Sequence, residues 1–392
     1  MMEDIKKIPV LRFPEFSGEW EIKKLGDISE KVGSGSTPSG GEKVYQTYGI
    51  PFIRSQNVLK NKLNLDRTHI SEEINIKMKG SIVKPNDILL NITGGGSIGR
   101  SCVVPHTFTI GNVNQHVCII RLNKLNNSGF IQVFLSSYEG QKLIYQGQTG
   151  SGREGLNFQS IRLFKIFIPQ FNEQQKIADF LTRIDIRIDR LSKKKNLLES
   201  YKKGVMQNIF SQELRFKDED GNNYPEWEEK KLGDFCLKKS SNISANSLSD
   251  NEGEYKIYGA TGLIKKIDFY KESDSYISIF KDGAGVGRVI LCEKKSSVLG
   301  TLYILKTKNN NSINFLYIVL QRIFFLKYIV GSTIPHIYFK DFSLEKIKLP
   351  SIKEQIRIAD FLTEIDNKIN LVEKQLTDSK KYKKSLLQKM FI

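Results

Sequence analysis

The feature that most constrains this chain is a phrase that it carries twice. Residues 173–185 read EQQKIADFLTRID and residues 354–366 read EQIRIADFLTEID, so ten of thirteen positions are identical at an offset of 181 residues. An amphipathic helix needs only apolar residues at the correct period, and many unrelated sequences satisfy that requirement. A helix that is spelled almost identically twice therefore indicates an internal duplication, and it predicts two units that share one architecture.

The duplication extends beyond this phrase, but not evenly. EWEIKKLGDI at residues 19–28 recurs as EWEEKKLGDF at residues 226–235, at an offset of 207 residues, and the tripeptide LRF precedes both copies. Because the offset falls from 207 to 181 within each half, the second intervening stretch is 26 residues shorter than the first. The ends of the two halves are thus repeated, whereas the residues between them differ.

At 392 residues the chain is too long for one ordinary core, and each half is predicted to contain a lead, a globular domain and a long helix. The predicted layout is an N-terminal lead at 1–25, a first domain at 26–168, a central helix at 169–211, a linker with the repeated lead at 212–232, a second domain at 233–349 and a C-terminal helix at 350–392.

Both long helices carry apolar residues at alternating steps of four and three, a spacing that is typical of a coiled coil. Lys195 and Lys202 fill two positions of this seam. One interpretation is that each helix packs on its own domain. A seam of about five heptads is too long for one small domain to cover, so we expect the two seams to cover each other in an antiparallel pair. The seam residues are Ile177, Leu181, Ile184, Ile188 and Leu191 in the central helix, and Ile358, Leu362, Ile365, Ile369 and Val372 in the C-terminal helix.

The starts of the helices carry capping signals. Ser351 and Glu354 have the spacing of a capping box at the start of the C-terminal helix. Asn172 is predicted to cap the central helix.

The stretches between lead and helix alternate short β-rich segments, such as DILLNI at 87–92 and SYISIF at 275–280, with turn residues. Each also has one helix-like apolar segment. SIGRSCVV at 97–104 aligns with GVGRVILC at 285–292. The predicted fold class is α+β: two globular domains of mixed α/β content, each followed by a long helix, with the two helices pairing as an antiparallel coiled coil.

The charge balance points to a polyanionic partner. The chain has 60 basic and 43 acidic residues, a net charge of +17, and an excess of this size is most often associated with nucleic acid, although a solvated basic surface is the alternative. Loops rich in polar and basic residues offer contacts to phosphates and base edges. The candidate DNA-binding residues are Ser34, Ser36, Thr37, Arg54, Ser55, Asn57, Thr93, Arg100 and Gln115 in the first domain, and Lys238, Lys239, Ser241, Tyr258, Thr261, Lys281 and Arg288 in the second.

The sequence has no recognisable active site. DGAGVGR at 282–288 is too short for a dinucleotide-binding loop, and GSGSTPSGGEK at 33–43 lacks the ending of a phosphate-binding loop. The four cysteines and four histidines have no ligand spacing, which favours buried, reduced thiols over a metal site. We therefore expect no catalytic residue, no cofactor and no metal.

Without a signal peptide or a membrane-spanning run, the predicted location is the cytoplasm.

Two repeated motifs identify a family. P-x-x-x-E-Q-x-[KR]-I-A-D-F-L at 169–181 and 350–362, and W-E-x-K-K-L-G-D at 20–27 and 227–234, flank two unlike domains in this chain. Their order over nearly the whole length resembles the DNA-specificity subunits of type I restriction–modification systems. The family resemblance implies that each domain is a target-recognition domain that reads one half of a bipartite double-stranded DNA site.

The resemblance further implies that the two long helices act as a spacer and scaffold for two modification (methyltransferase) subunits, which recruit the restriction subunits. It implies a non-catalytic subunit of a methyltransferase/endonuclease complex in host defence. The unlike domains predict unlike half-sites and hence a non-palindromic target.

Other functions stay open. The chain could be the specificity subunit of a related methyltransferase or type II-like system without a separate restriction subunit, or a stand-alone DNA-modifying enzyme. A coiled-coil adaptor with no DNA role is a further alternative. An adaptor would show no salt-dependent binding to duplex DNA, whereas a DNA reader would show a steep dependence of log affinity on log salt concentration.

Overall fold

The computed structural model describes residues 7–149, 155–259, 261–283 and 285–392. The first six residues of the predicted lead, residues 150–154 of the first predicted domain, and Ala260 and Ala284 of the second therefore lie outside the described residues. The chain divides into two compact units, which are Met1–Ser192 with Lys374–Ile392 (unit 1) and Lys193–Glu373 (unit 2). Each unit thus contains one globular region and segments of both long helices.

Unit 1 is built from short strands with a few short helices. The strands are β1 (Glu21–Lys24), β2 (Ser29–Ser34), β3 (Ile50–Ile53), β4 (Val58–Leu59), β5 (Lys62–Leu63), β6 (His69–Ile70), β7 (Ile82–Val83), β8 (Ile88–Asn91), β9 (Ser101–Val103), β10 (Gly111–Val113), β11 (Val117–Leu122), β12 (Gln148–Thr149), β13 (Gly155–Leu156) and β14 (Lys165–Ile168). The helices are α1 (Glu72–Lys77), α2 (Ser128–Ser136), α3 (Tyr138–Gln146), α4 (Phe158–Arg162) and the first part of α5 (Phe171–Ser211).

Unit 2 uses the same kinds of element. Its strands are β15 (Glu228–Lys231), β16 (Cys236–Ser240), β17 (Tyr255–Gly259), β18 (Gly262–Ile267), β19 (Tyr276–Phe280), β20 (Val289–Cys292), β21 (Ser296–Val298), β22 (Leu302–Thr307) and β23 (Lys346–Leu349). Its helices are α6 (Leu232–Phe235), α7 (Ile313–Arg322), α8 (Phe339–Phe342) and the first part of α9 (Ile352–Lys389).

The sheet topology is duplicated. Unit 1 has an antiparallel sheet in the order β2-β11-β8-β9, and unit 2 has one in the order β16-β22-β19-β20, which repeats the same connections. A second sheet in each unit contains one parallel pair, β3 with β10 and β17 with β21. The predicted α+β class is confirmed, and the two unlike stretches adopt one layout although their lengths differ.

The repeated lead forms a strand in each unit. β1 pairs antiparallel with β14, with Glu21 opposite Ile168, and β15 pairs antiparallel with β23, with Glu228 opposite Leu349. Because β14 and β23 directly precede the long helices, the lead strand joins the globular region at the point where each helix begins. Trp20, at the start of the first lead, is 2% exposed.

The first turns of both seams pack into globular cores. Ile177 and Leu181 belong to the same buried cluster as Phe130 and Phe134 in unit 1. Ile358 and Leu362 lie with Phe315 and Leu316 in the corresponding cluster of unit 2. At these turns each helix packs on its own globular region, against α2 or α7, as the alternative interpretation of the seams predicts. The antiparallel pairing of the two seams stays a prediction.

Each core also contains the end of the long helix from the other repeat. Leu386, in the last turn of α9, is buried in the cluster of unit 1, and so are Met390 and Phe391, which directly follow the helix. Ile209, at the end of α5, is buried in the cluster of unit 2. Each unit is therefore completed by residues that lie far away in the sequence.

The second residue of the repeated phrase is a glutamine in both copies, and it makes equivalent hydrogen bonds in the two units. Gln174 donates to the carbonyl of Pro169 over 2.9 Å and accepts from the backbone N–H of Asn127 over 2.8 Å. Gln355 donates to the carbonyl of Pro350 over 2.9 Å and accepts from the N–H of Ser312 over 3.1 Å. Both glutamines are 1% exposed. Each thus ties the start of a long helix to the N-cap residue of α2 or α7.

The capping predictions are half correct. The Ser351 hydroxyl accepts from the N–H of Glu354 over 3.4 Å, but the Glu354 carboxylate bonds to Arg215 and Trp227, so the reciprocal half of the capping box does not form. The prediction for Asn172 is wrong, because α5 begins at Phe171 and Asn172 lies inside its first turn.

Candidate nucleic-acid interface

Most candidate residues of unit 1 lie at one edge of its antiparallel sheet. β2 and β8 end at this edge, and β11 and β9 begin there, because Ser34 is opposite Cys118, Asn91 is opposite Val117 and Leu90 is opposite Ser101. We call the loops that meet there, residues 34–37, 92–100 and 114–116, edge 1. Edge 1 holds Ser34, Ser36, Thr37, Thr93, Arg100 and Gln115.

A chain of side-chain hydrogen bonds connects the three loops of edge 1. The Thr37 hydroxyl donates to Oε1 of Gln115 over 2.6 Å. Nε2 of Gln115 lies 3.2 Å from Nε2 of His116, and Nδ1 of His116 lies 2.5 Å from the Thr93 hydroxyl. The network fixes the relative positions of three loops whose residues are far apart in sequence. His116 was not predicted, and the local signal for it is its position between Gln115 and the first residue of β11.

Arg54 and Ser55 lie beside edge 1 and are partly held by their neighbours. Nη2 of Arg54 donates to Asp66 over 3.0 Å and to the Thr68 hydroxyl over 2.7 Å. Burial alone would raise the pKa of Asp66, but hydrogen bonds from Thr68, Gln56 and Arg54 hold this pKa below its usual value. The carbonyl of Ser55 accepts from the Asn91 side chain over 2.8 Å, which places this loop next to the end of β8.

Asn57 is placed differently from the other candidates. Its side chain accepts from the N–H of Arg54 over 2.8 Å and donates to the carbonyl of Asn64 over 2.8 Å. The residue is 2% exposed. Asn57 therefore shapes the loop that carries Arg54 and is not itself presented at the surface.

Unit 2 has an equivalent edge. β16 and β19 end where β22 and β20 begin, because Ser240 is opposite Tyr303, Phe280 is opposite Leu302 and Ile279 is opposite Val289. We call its loops, residues 241–243, 281–288 without Ala284, and 299–301, edge 2. Ser241, Lys281 and Arg288 lie on it, and Lys238 is the central residue of β16, the strand that ends there.

Two lysine side chains at edge 2 lie close to the ring of Tyr303. The Nζ atoms of Lys238 and Lys281 lie 5.1 Å and 5.6 Å from the centre of the Tyr303 ring, within cation–π range. The Ser241 hydroxyl donates to the carbonyl of Val298 over 2.6 Å and anchors its loop. Edge 2 therefore groups two lysines around an aromatic ring, whereas edge 1 has a network of hydroxyl, amide and imidazole groups. Tyr303 was not predicted because it reads as an ordinary strand residue.

The remaining three candidates of unit 2 lie outside the loops of edge 2. Lys239 points to Glu272, with Nζ 3.4 Å from Oε1, and so has a carboxylate partner. Tyr258 is 9% exposed, and burial raises its pKa. Thr261 is exposed in the turn between β17 and β18, directly after Ala260.

The chain segment that follows α7 makes backbone hydrogen bonds to the loop 281–288 of edge 2. The N–H of Gly283 donates to the carbonyl of Pro335 over 2.9 Å, and the N–H of Ile337 donates to the carbonyl of Lys281 over 2.9 Å. Next to these contacts, Nε2 of His336 lies 2.6 Å from the Tyr338 hydroxyl. His336 and Tyr338 are therefore further polar groups near edge 2 that the sequence did not indicate.

The described residues contain no group of three or more potential metal ligands and no helix long and apolar enough to cross a membrane. All four cysteines are free and buried. Desolvation raises the pKa of Cys102, Cys118 and Cys236 to about 12 and that of Cys292 to about 11.

The fold is shared with a solved specificity protein. The crystal structure of the type I restriction–modification system S subunit from M. genitalium superposes with a TM-score of 0.70 and covers 98% of this chain and 99% of its own. Its sequence is 18% identical, so the likeness concerns the fold. The duplicated α+β fold of this chain is thus also the fold of that crystal structure.

The sequence comparisons agree. The family model described as type I restriction modification DNA specificity domain matches residues 17–200 and 224–379, and the chain belongs to this family. The type I restriction enzyme MjaVIII specificity subunit of Methanocaldococcus jannaschii is 24% identical over 423 residues, covering 98% of this chain and 94% of the relative. The MjaIX specificity subunit of the same organism is 24% identical over 427 residues, with 99% and 94% covered. The family resemblance found in the repeated motifs is confirmed.

Proposed function

We propose that this chain is the DNA-reading specificity subunit of a type I restriction–modification complex and that it acts in the cytoplasm. The observation that carries the proposal is the pair of equivalent sheet edges, which occupy the same place in one duplicated topology and carry different side chains. Family membership supports the same conclusion. A net charge of +17 supplies the long-range attraction that a DNA-binding protein needs.

In this proposal the globular regions at 26–168 and 233–349 are two target-recognition domains. Edge 1 offers hydroxyl, amide and imidazole groups, which suit hydrogen bonds to base edges. Edge 2 offers lysines around an aromatic ring. Because the two edges differ in chemistry, the two half-sites differ, and the complete target is bipartite and not palindromic.

We further propose that α5 and α9 pair as an antiparallel coiled coil. In unit 2, Lys195 contacts Glu373 over 2.7 Å and Lys202 contacts Asp366 over 2.6 Å, so the numbering rises along one helix as it falls along the other. In unit 1, Lys383 contacts Asp185 over 2.5 Å. This pair is the repeat equivalent of Lys202 and Asp366, at the same offset of 181 residues.

The paired helices would serve as scaffold for two modification subunits, through which restriction subunits join. A duplicated frame offers two equivalent surfaces and therefore suits two copies of one partner. Tyr201 and Tyr382 occupy equivalent positions on the two helices, and each is 54% exposed. The matching exposure supports a partner that binds the same way twice. The chemistry of methylation and cleavage would belong to these partners and not to this chain.

The decisive experiment maps methylated bases in cells that express the chain with its modification subunits. We expect one motif with two unlike half-sites separated by a spacer of fixed length and free sequence. Exchange of residues 233–349 for the matching domain of a relative should change one half-site and leave the other intact. Methyl transfer by the purified chain alone, or a motif without a spacer, would contradict the proposal.

A further inference from the structure

The two edges contain one hairpin of the same construction. In unit 1 the loop between β8 and β9 ends in Gly99 and Arg100. The N–H of Gly99 donates to the carbonyl of Asn91 over 3.0 Å, and the N–H of Asn91 donates to the carbonyl of Arg100 over 2.9 Å. The N–H of Arg100 also donates to the carbonyl of Ser97 over 3.2 Å, which closes the turn.

Unit 2 repeats these bonds between β19 and β20. The N–H of Gly287 donates to the carbonyl of Phe280 over 2.8 Å, and the N–H of Phe280 donates to the carbonyl of Arg288 over 3.0 Å. The N–H of Arg288 donates to the carbonyl of Gly285 over 3.0 Å. The rest of the loop differs, with Lys281 where unit 1 has no basic residue. The shared part is therefore the glycine and the arginine.

The glycine fixes the direction in which the arginine leaves the loop. Gly99 and Gly287 both have φ +81°, a left-handed conformation that favours glycine. A Cβ at position 287 would lie 2.6 Å from Cβ of Phe325, and one at position 99 would lie 2.9 Å from the Gln141 side chain. The left-handed conformation therefore favours glycine at both positions, and the close approach of Phe325 strengthens this requirement at position 287.

Both arginines are exposed and free to bind an anion. The guanidinium of Arg100 donates from Nη2 to the carbonyl of Gly96 over 2.6 Å, and the guanidinium of Arg288 lies 5.7 Å from the Phe280 ring. Among the described residues, salt bridges occupy Arg54 and Arg121 but neither of these two arginines. A guanidinium has five N–H donors, so most remain for a ligand with several acceptor oxygens.

We infer that Arg100 and Arg288 are matched phosphate anchors, one in each recognition domain, and that neither reads a base. The inference rests on the proposed function, in which the two domains read different half-sites. A residue presented in the same way by both domains must contact what both half-sites share, and that is the phosphodiester backbone. The residues that differ between the edges are then the ones that determine sequence preference.

This assignment separates two roles that an arginine can have on DNA. An arginine that reads guanine makes two hydrogen bonds to O6 and N7, and its loss relaxes specificity at one base pair. An arginine on phosphate contributes affinity for every sequence and releases counterions. Arg100→Ala and Arg288→Ala should therefore weaken binding to all duplexes alike.

The test uses the full chain assembled with its modification subunits and a library of duplex DNA with randomised positions. The preferred motif and the affinities for the selected site and for a scrambled site are measured for wild type, Arg100→Ala, Arg288→Ala and the double variant. We expect each single change to lower both affinities by about fivefold to tenfold and to reduce the slope of log affinity against log salt by about 0.9. The selected motif should stay the same.

Two further variants control for charge and geometry. Arg100→Lys keeps the charge and should recover most of the affinity, because a lysine also binds phosphate as a point charge. Lys294→Ala removes an exposed cation from the turn after β20, at the end of the strand away from edge 2, and should change the affinity by less than about twofold.

Specific results would overturn the inference. Loss of discrimination at a guanine in one half-site would make the mutated arginine a base reader. An unchanged affinity for the scrambled site, or an equal loss in Lys294→Ala, would exclude a local phosphate contact. A wild-type complex that selects no motif would overturn the proposed function itself, and the anchors with it.

Discussion

Arg12 holds the carboxylate of Glu173 in a two-point contact: Nε donates to Oε1 and Nη2 donates to Oε2, each over 2.7 Å. Glu173 is the first residue of the repeated phrase and is 1% exposed. Arg12 lies in the first LRF tripeptide. The lead of the repeat and the start of its long helix are thus joined by a buried ion pair, which accounts for the duplication of both.

The second repeat uses the same residue types with different bonds. Nη2 of Arg215 donates to Oε2 of Glu354 over 3.2 Å, and Nε1 of Trp227 donates to the same oxygen over 3.0 Å. Among the described residues, Nε of Arg215 and Oε1 of Glu354 have no partner. The aromatic residue after each arginine also repeats its contact, since Phe13 lies 5.5 Å from Phe180 and Phe216 lies 5.4 Å from Phe361.

Arg12→Ala is predicted to destabilise unit 1 by about 3 kcal/mol, because it leaves the buried Glu173 carboxylate without its cation. Hydrogen exchange followed by mass spectrometry should show faster exchange at the start of α5. Arg215→Ala is the matched control: it breaks the longer contact and leaves the Trp227 bond to Glu354, so the loss should be smaller and confined to unit 2. Equal exchange in wild type and Arg12→Ala would contradict a structural role for this pair.

Phe391 and Phe210 are predicted to stabilise different units although both lie within two residues of the end of a long helix. Phe391 is 6% exposed, with its ring 5.5 Å from Phe130, so Phe391→Ala should cost unit 1 about 3 kcal/mol. Phe210 lies 5.7 Å from Trp227 and 6.0 Å from Phe315, so Phe210→Ala should loosen unit 2.

Hydrogen exchange resolved by peptide again provides the measurement for the two phenylalanine variants. Each substitution should accelerate exchange in one unit and leave the other close to wild type. A uniform acceleration by either variant would show that the helix end does not belong to one core.

The equivalent ion pairs between α5 and α9 are predicted to contribute little individually. Lys383 and Asp185 have side chains that are 13% and 32% exposed, so a double-mutant cycle with Lys383→Ala and Asp185→Ala should give a coupling of about 0.5–1 kcal/mol, reduced by high salt. The cycle with Lys202→Ala and Asp366→Ala is the matched measurement. Exchange of the charges, Lys383→Asp with Asp185→Lys, should restore most of the coupling. A coupling of zero in both cycles would mean that the seam is specified by its apolar residues alone.

The cysteines are predicted to be inert in the folded protein. Burial raises the pKa of Cys102, Cys118 and Cys236 to about 12, so at pH 8 these thiols are protonated and lack the nucleophilic thiolate. Iodoacetamide at pH 8 should therefore add no mass to the native protein and should label all four cysteines in guanidinium. Rapid labelling of a thiol under native conditions would show that one of the cores opens locally.

Much of the architecture follows from the sequence because it is repeated or periodic. The duplication predicts one layout for two unlike stretches, and alternating apolar residues predict short strands between turns. The partners of these strands are not encoded locally, so the order β2-β11-β8-β9 was not predictable. Phe391 could not be assigned to the core of unit 1 for the same reason, since nothing near it in the sequence names Phe130 as its neighbour.

The candidate residues show the same limit. Polar residues in loops predicted the composition of the edges, and the structure brings Thr37, Thr93 and Gln115 together. The sequence does not show that Asn57 is buried, because an asparagine in a turn can face inward or outward with equal ease. Tyr303 was missed because its role comes from one lysine on another strand and one in a loop, both far from it in sequence. Residue types can therefore indicate which loops are candidates for DNA binding. The role of each residue in such a loop depends on its tertiary contacts.

The proposed helix pair should act as a ruler. Insertion of one heptad into α5 next to Lys195 and one into α9 next to Glu373 keeps the seam in phase and adds about 10 Å to the pair. Since one base pair of duplex DNA occupies about 3.4 Å, the preferred spacer should lengthen by about three base pairs. Methylation mapping of the doubly extended complex measures this spacer directly, and the two half-sites should be unchanged. A heptad in α5 alone is the control, because it leaves seven residues without a partner and should reduce methylation without defining a new spacer. An unchanged spacer in the doubly extended complex would show that the helices do not set the distance between the half-sites.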